Sequence, residues 1–170
     1  EPKEMIFGFN RRILAYFAVD LYEAAVATEL KKEKTFFIPF NQGSNGAGRV
    51  GGAGNPQRED DGFVTAYLWE EVLRRDMLLA ILQRYIMRQE EEKLSLIIDK
   101  HGREKEVKDT SVKIIFPRYH QLDVVNTLVA DVASTGVGKT YLVEHSAGSG
   151  KSNSLTWLAF KLIKTCPDTE

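Results

Sequence analysis

VASTGVGKTYLVEHSAGSGKS, residues 132–152, holds two sequences that each read as a phosphate-binding loop. The first, Ala133 to Thr140, has the form A-x-x-x-x-G-K-T. The second closes on Gly150, Lys151 and Ser152 but carries His145 where the pattern has Gly or Ala. Their lysines lie 12 residues apart. A nucleotide site needs one such loop, so the choice between them decides the fold around it. The loop works because backbone N–H groups of a glycine-rich turn, and the N-terminus of the next helix, converge on an anion. The lysine reaches the β and γ phosphates, and the Ser or Thr hydroxyl binds Mg2+. A strand must therefore precede the loop and a helix of several turns must follow it.

The first loop fails both requirements. Tyr141, Leu142 and Val143 follow it as strand formers, then glycines at 148 and 150, so no useful helix starts at Thr140. Its upstream residues have helical periodicity. It reads as a helix-to-strand connection, with Gly136 and Gly138 allowing the turn and Lys139 in solvent. The second loop has YLVEH before it as an expected short strand. After it comes an expected helix from Ser152, with Leu155, Leu158, Ala159, Leu162 and Ile163 on one face and Pro167 marking its end. About 30 residues before Lys151 lie Phe116 and Gln121. A glutamine side chain both donates to and accepts from the edge of adenine, and an aromatic ring stacks on it. Arg118 is placed to pack over the base or reach a phosphate.

On the N-terminal side of the two loops, IIFPRYHQ (114–121) leads into a helix from about Gln121 to Ala133. That helix is buried through Leu122, Val125, Leu128, Val129 and Val132, with Pro117 on its approach. Further upstream, the pattern from about Thr65 to Lys93 predicts one long helix, with Val72, Leu79, Leu82 and Ile86 on a stripe. A small hairpin turning at His101-Gly102 follows it. RILAYFAV (12–19) and TFFIPF (35–40) read as strands. Between them, Asp20 and Glu23 have capping-box spacing and AAVATELKKEK suits a helix, yet FAVDLYEAAV also reads as two strands around a turn. Period alone leaves both open. Residues 41–56 contain six of the 13 glycines, among them Gly46-Ala47-Gly48-Arg49-Val50-Gly51, a formal G-x-G-x-x-G. The helix breakers Gly52, Gly54, Asn55 and Pro56 follow, so this stretch is a surface loop and not a dinucleotide site.

The bulk composition narrows the class. The chain has 170 residues, 43% hydrophobic and 28% charged, enough for one domain or pieces of two. Net charge is −1, so a globally basic nucleic-acid binder is excluded and any DNA contact must come from local patches. No apolar run reaches the length of a membrane span, and no secretory signal is visible. A single cysteine, Cys166, forbids an internal disulfide and suits a reducing, cytoplasmic compartment. His101, His120, His145 and Cys166 lack metal-ligand spacing. The chain opens on Glu1, and a piece of a longer protein is expected.

Four stretches, FPRYHQLDVV, YLVEHSAGSGKSNSLTWLAFKL, FIPFNQGSNGAG and TAYLWEEVLRRDMLLAILQRYI, together resemble the restriction (R) subunit of type I restriction–modification enzymes. The likeness covers nearly the whole chain and is weakest over 94–112. In that family a PD-(D/E)xK-type nuclease domain precedes two RecA-like motor domains of the superfamily 2 kind, which use ATP to pull DNA. The nuclease cuts when translocation stalls. The resemblance thus implies an α/β chain in three parts: 1–62 as the C-terminal part of the nuclease domain with the Gly-rich loop, 63–111 as linking helix and hairpin, and 112–170 as the first β-α-β portion of the P-loop motor. It also favours the hairpin over the helix for residues 12–30.

Carried over by position, Ala147, Gly148, Ser149, Gly150, Lys151 and Ser152 match the family's ATP phosphate loop, with Ser152 on Mg2+ through ATP. Phe116, Arg118 and Gln121 match its adenine-reading segment. The implied cofactors are ATP and Mg2+, and the implied partners are double-stranded DNA and the modification (M) and specificity (S) subunits. The nuclease carboxylates and lysine, the acidic pair for hydrolysis and the second-lobe arginine have no counterpart here, so no catalytic residue is nominated and this polypeptide alone is expected to be inactive. The competing readings are a nucleotide-gated DNA-binding module, a plain superfamily 2 helicase or translocase without nuclease, and a scaffold with a vestigial loop.

Overall fold

The computed structural model describes residues 3–43, 52–98 and 104–165. The formal G-x-G-x-x-G, the His101-Gly102 turn and the helix end at Pro167 lie outside them. The fold is mixed α/β, with two small antiparallel sheets and three α-helices among the described residues.

Residues 12–30 form a hairpin. β1 (Tyr16–Val19) pairs antiparallel with β2 (Ala24–Ala27), in register Val19↔Ala24. Asp20 decides the outcome: its Oδ1 accepts from the N–H groups of Tyr22 and Glu23, both at 2.7 Å. Those are the donors a helix N-cap would satisfy, but here the same side chain closes a turn. β3 is shorter than expected, only Ile38–Pro39, and pairs with the other side of β2. Pro39 lacks an N–H to donate, and β3 lies at the sheet edge, where that lack is tolerated. The neck of the Gly-rich loop is stapled beside it. Asn41 accepts from Ala24 N–H at 2.8 Å, Asn55 accepts from Gln42 N–H at 2.9 Å, and Gly43 N–H reaches Gly54 O at 2.8 Å.

The single long helix expected over 65–93 is replaced by three pieces. Leu68–Val72 forms one π-helical turn, the chain breaks at Arg74 (ψ 146°), and α1 runs from Arg75 to Arg84. The break resets the helical phase. Ile81 and Tyr85 are fully buried, while the expected Leu79 and Leu82 face solvent. From Met87 the chain is a strand. β4 (Met87–Ile98) pairs residue for residue with β5 (Glu104–Ile115), which makes the hairpin far longer than predicted. RQEEEK has helix-forming side chains, but cross-strand pairing overrides that preference, helped by Lys113 on Glu91 at 2.8 Å and buried Ile114 at the root.

α2 (Tyr119–Thr135) buries Leu122, Val125 and Val132 as its periodicity requires, and Pro117 sits just before it. α3 (Lys151–Thr165) packs on α2. Its buried face differs from the expected one: Ser154, Trp157 and Lys161 are inside, and Leu155 and Ile163 are outside. Trp157, 1% exposed, sets that rotation by packing its ring against Tyr85, centroids 5.6 Å apart and planes tilted by 55°. The expected strand Tyr141–His145 joins no ladder, and no parallel β-α-β unit occurs among the described residues. A strand needs a neighbour for its N–H and C=O groups, and no described segment supplies one.

One core ties these elements together. Phe17 and Phe40 meet edge to face at 5.3 Å, and Phe116 packs on both. The cluster continues through Tyr67, Val72, Ile81 and Tyr85 to Leu122, Val125 and Trp157. The phosphate-loop candidate is thus mounted on the same core as the small sheet.

Candidate functional site

Gly148 (φ 73°) and Gly150 (φ 83°) let residues 146–150 turn tightly into the first turn of α3. Side chains rarely adopt these angles, which is why glycine occupies both positions. Ser149 N–H bonds to Ser146 O at 3.3 Å, and the N–H groups of Asn153 and Ser154 close onto Gly150 O at 3.0 and 3.3 Å. The helix N-terminus and its orphan donors therefore open directly off the loop.

Lys151 folds back over this turn. Its Nζ donates to His145 O at 3.2 Å and Ser146 O at 3.1 Å, with no carboxylate partner among the described residues. Lys151 and Ser152 are exposed. The lysine charge is held only by neutral loop carbonyls, the setting in which a phosphate oxygen is the stronger acceptor.

The upstream segment meets the loop directly. Gln121 is 3% exposed, and its Nε2 donates to Ser149 O at 3.2 Å and Gly150 O at 2.9 Å. Its Oε1 accepts from Arg118 N–H at 2.9 Å, the side-chain-to-backbone half of a capping box. The spacing between FPRYHQ and the loop thus reflects physical contact. In this arrangement the Gln121 amide is engaged with backbone and is not free for a base, while Phe116 is half-buried, edge-on to Phe17 and tilted against Phe40.

Two histidines complete the clamp; in the sequence they stand out only as part of FPRYHQ and as the departure from the loop pattern at His145. His120 Nε2 lies 3.1 Å from Ser149 O, and the rings of His120 and His145 meet edge to face at 4.7 Å. Burial pushes both imidazoles below their ordinary pKa; nearby Lys151 adds to the effect at His145. The departure from the simple pattern at His145 therefore supplies a ring that packs under the loop. The Oγ of Ser149 and the Nδ1 of His145 are buried without a partner.

The rival loop has a different fate. Residues 133–135 are the last turn of α2, and Gly136 caps it. Lys139 is exposed, as expected, and pairs at the surface with Asp131 at 3.1 Å, while Tyr141 Oη donates to the same carboxylate at 2.5 Å. Lys139 is held against its own helix, with its charge already matched.

Behind α3, Lys161 is buried with no acid beside it among the described residues. Its Nζ donates to Tyr85 Oη and Asn126 Oδ1, both at 2.6 Å, and sits 4.3 Å from the Tyr85 ring centroid. Burial pushes its pKa down to about 8. This bond set fastens α3 to α2 and to the end of α1.

No group of three or more His, Cys, Asp or Glu side chains able to hold a metal occurs among the described residues. No described helix is long and apolar enough to cross a membrane. Searches of family models, curated proteins and solved structures return no match for this chain.

Proposed function

We propose that residues 147–152 form an ATP-binding phosphate loop, and that the chain is part of the DNA-translocating and DNA-cleaving subunit of a type I restriction enzyme. The observation that carries the first part is the arrangement of Lys151 and Ser152 at the open N-terminus of α3, with an uncompensated ammonium above a glycine turn. The resemblance of FPRYHQ, HSAGSGKSNS and FIPFNQGSNGAG to that family carries the second.

The residues present suit the group. Backbone N–H groups of Gly148 to Ser152 would hold the phosphates, and Lys151 would exchange the His145 and Ser146 carbonyls for phosphate oxygens. Ser152, exposed in the first turn of α3, would hold Mg2+ through its hydroxyl. Bound MgATP supplies a phosphoanhydride whose cleavage drives movement along DNA. Gln121 would couple the base side to the phosphate side, since one amide already joins the two segments. Adenine recognition by Phe116, Arg118 and Gln121 then requires Gln121 to exchange a loop carbonyl for the base. Double-stranded DNA and the modification and specificity subunits are the partners of this reading.

The test compares two lysines. Binding of a fluorescent ATP analogue with Mg2+ should fall at least about tenfold in Lys151→Ala, which removes one charge-assisted bond to phosphate, and stay unchanged in Lys139→Ala. Loss in Lys139→Ala with retention in Lys151→Ala would reverse the assignment. In the full-length protein, Lys151→Ala should abolish translocation while DNA recognition by the partner subunits persists.

A further inference from the structure

Residues 3–12 lie far from the phosphate loop in sequence and form a compact run of turns. Met5–Phe7 is one 3-10 turn, Gly8 and Arg11 continue it through bonds to Met5 O and Gly8 O, and Asn10 takes a left-handed backbone (φ 56°). Tyr16 Oη on β1 donates to Phe7 O at 2.6 Å, which fixes the run against the sheet. Arg11 and Arg12 are exposed on this anchored turn.

Two clefts open beside them. One, of about 580 Å³, is lined by Phe9, Asn10, Arg11, Glu29 and Lys31, with Ser111 and Val112 of β5. The other, of about 390 Å³, is lined by Met5, Ile6, Arg11 and Arg12. Arg11 belongs to both, so the clefts adjoin at that residue. Of the residues lining the two clefts, Arg11, Arg12 and Lys31 are opposed by Glu29 alone, a net charge of +2 in a chain that is −1 overall. Lys32, like Asn10, has a positive φ (53°), and these two are the non-glycine residues of that kind among the described residues.

We infer that this double cleft binds the phosphodiester backbone of a nucleic acid, with Arg11 at its centre and Arg12 and Lys31 to either side. Guanidinium forks match phosphate oxygens in pairs, which ammonium groups do not. A single small anion would fill one cleft, whereas a chain of phosphates crosses Arg11 from one cleft to the other. Phe9 supplies an apolar wall, and Asn10 and Ser111 supply uncharged hydrogen-bonding groups beside it. The carboxylate in the way is Glu29, which lies 2.7 Å from Lys31 Nζ. Glu29 therefore competes with phosphate for Lys31. The inference rests on the proposed function for its class of partner and on the cleft for its chemistry.

The experiment is a salt titration of binding to a labelled duplex and to the corresponding single strand, which share the backbone chemistry and differ in shape. Arg11→Ala/Arg12→Ala should weaken binding of the preferred form about tenfold and reduce the slope of log K against log salt by about two, one for each phosphate no longer neutralised. Glu29→Gln should act oppositely and tighten binding by freeing Lys31. Unchanged affinity and slope in the arginine variant, or weaker binding in Glu29→Gln, would overturn the inference. If the arginine variant does not fold, Glu29→Gln decides. ATP-analogue binding by the same variants should be unaltered, and Lys151→Ala should keep its nucleic-acid affinity, so failure of the phosphate loop and failure of the cleft give different patterns.

Discussion

Gln121 Nε2 donates to the carbonyl oxygen of Gly150 at 2.9 Å, across 29 residues of sequence and from below the turn that carries Lys151. The same amide also reaches Ser149 and, through Oε1, the start of α2. One buried side chain thus fixes both the loop and the helix beneath it.

Replacing this amide should therefore loosen the loop. Gln121→Glu sets a carboxylate against the Ser149 and Gly150 carbonyls, and Gln121→Ala leaves both carbonyls unpaired in a buried place. Each should cost on the order of 1–3 kcal/mol in chemical denaturation. Gln121→Glu should be the worse of the two. Nucleotide affinity should fall with it.

The two loop glycines should respond unequally to alanine. At Gly150 a Cβ would stand 2.5 Å from Gln121 Nε2 and the backbone is left-handed, so both sterics and strain oppose the change. At Gly148 nothing lies within 4 Å, and only the strain at φ 73° remains. Gly148→Ala should cost about 1 kcal/mol and Gly150→Ala more. Melting temperatures of the two variants would show the order, and equal losses would contradict it.

Lys161 offers a pH-dependent test. Its folded pKa, about 8, lies below the ordinary 10.5, so the unfolded chain holds the extra proton between those values. Stability should rise with pH across that window and be lowest, for this group, below pH 8. Lys161→Met should flatten that rise. Tyr85 Oη would still donate to Asn126 at 2.8 Å. With the charge only partly desolvated, the variant should gain about 1–2 kcal/mol at pH 7. Urea unfolding of both proteins at pH 7 and pH 10 measures it.

The histidine pair should show its own window. Burial holds both below 6.5, so the unfolded chain takes up protons first as pH falls through that value. Stability should drop below about pH 6.5, and His120→Gln/His145→Gln should drop less over the same range. A parallel fall in wild type and variant would mean that carboxylates alone cause it.

How much of this was legible in advance depends on what each residue needed. The turn at Gly150 and the helix that begins at Lys151 could be read, because a glycine turn is local and the helix has its own period. Asp20 could not be decided, since an N-cap and a turn use the same oxygen and the same donors. Glu90 to Glu92 misled, because their helix preference is weaker than a partner strand about 20 residues away. The contact of Gln121 with the loop was foreshadowed by spacing, but which groups it would engage depended on the angle between α2 and α3. Trp157 and Lys161 turned α3 away from the face its leucines predicted, for a reason that lies in Tyr85 and Asn126.

The β4–β5 ribbon, finally, pairs with no third strand among the described residues. Its residues from Arg88 to Leu94 are largely exposed, and Ile114 at the root is buried. Amide hydrogens should therefore exchange with solvent in sequence from the far end inward, slowest where Met87 faces Ile115. The arm should melt before the glycine turn that Gln121 holds, giving the chain two levels of stability within one polypeptide.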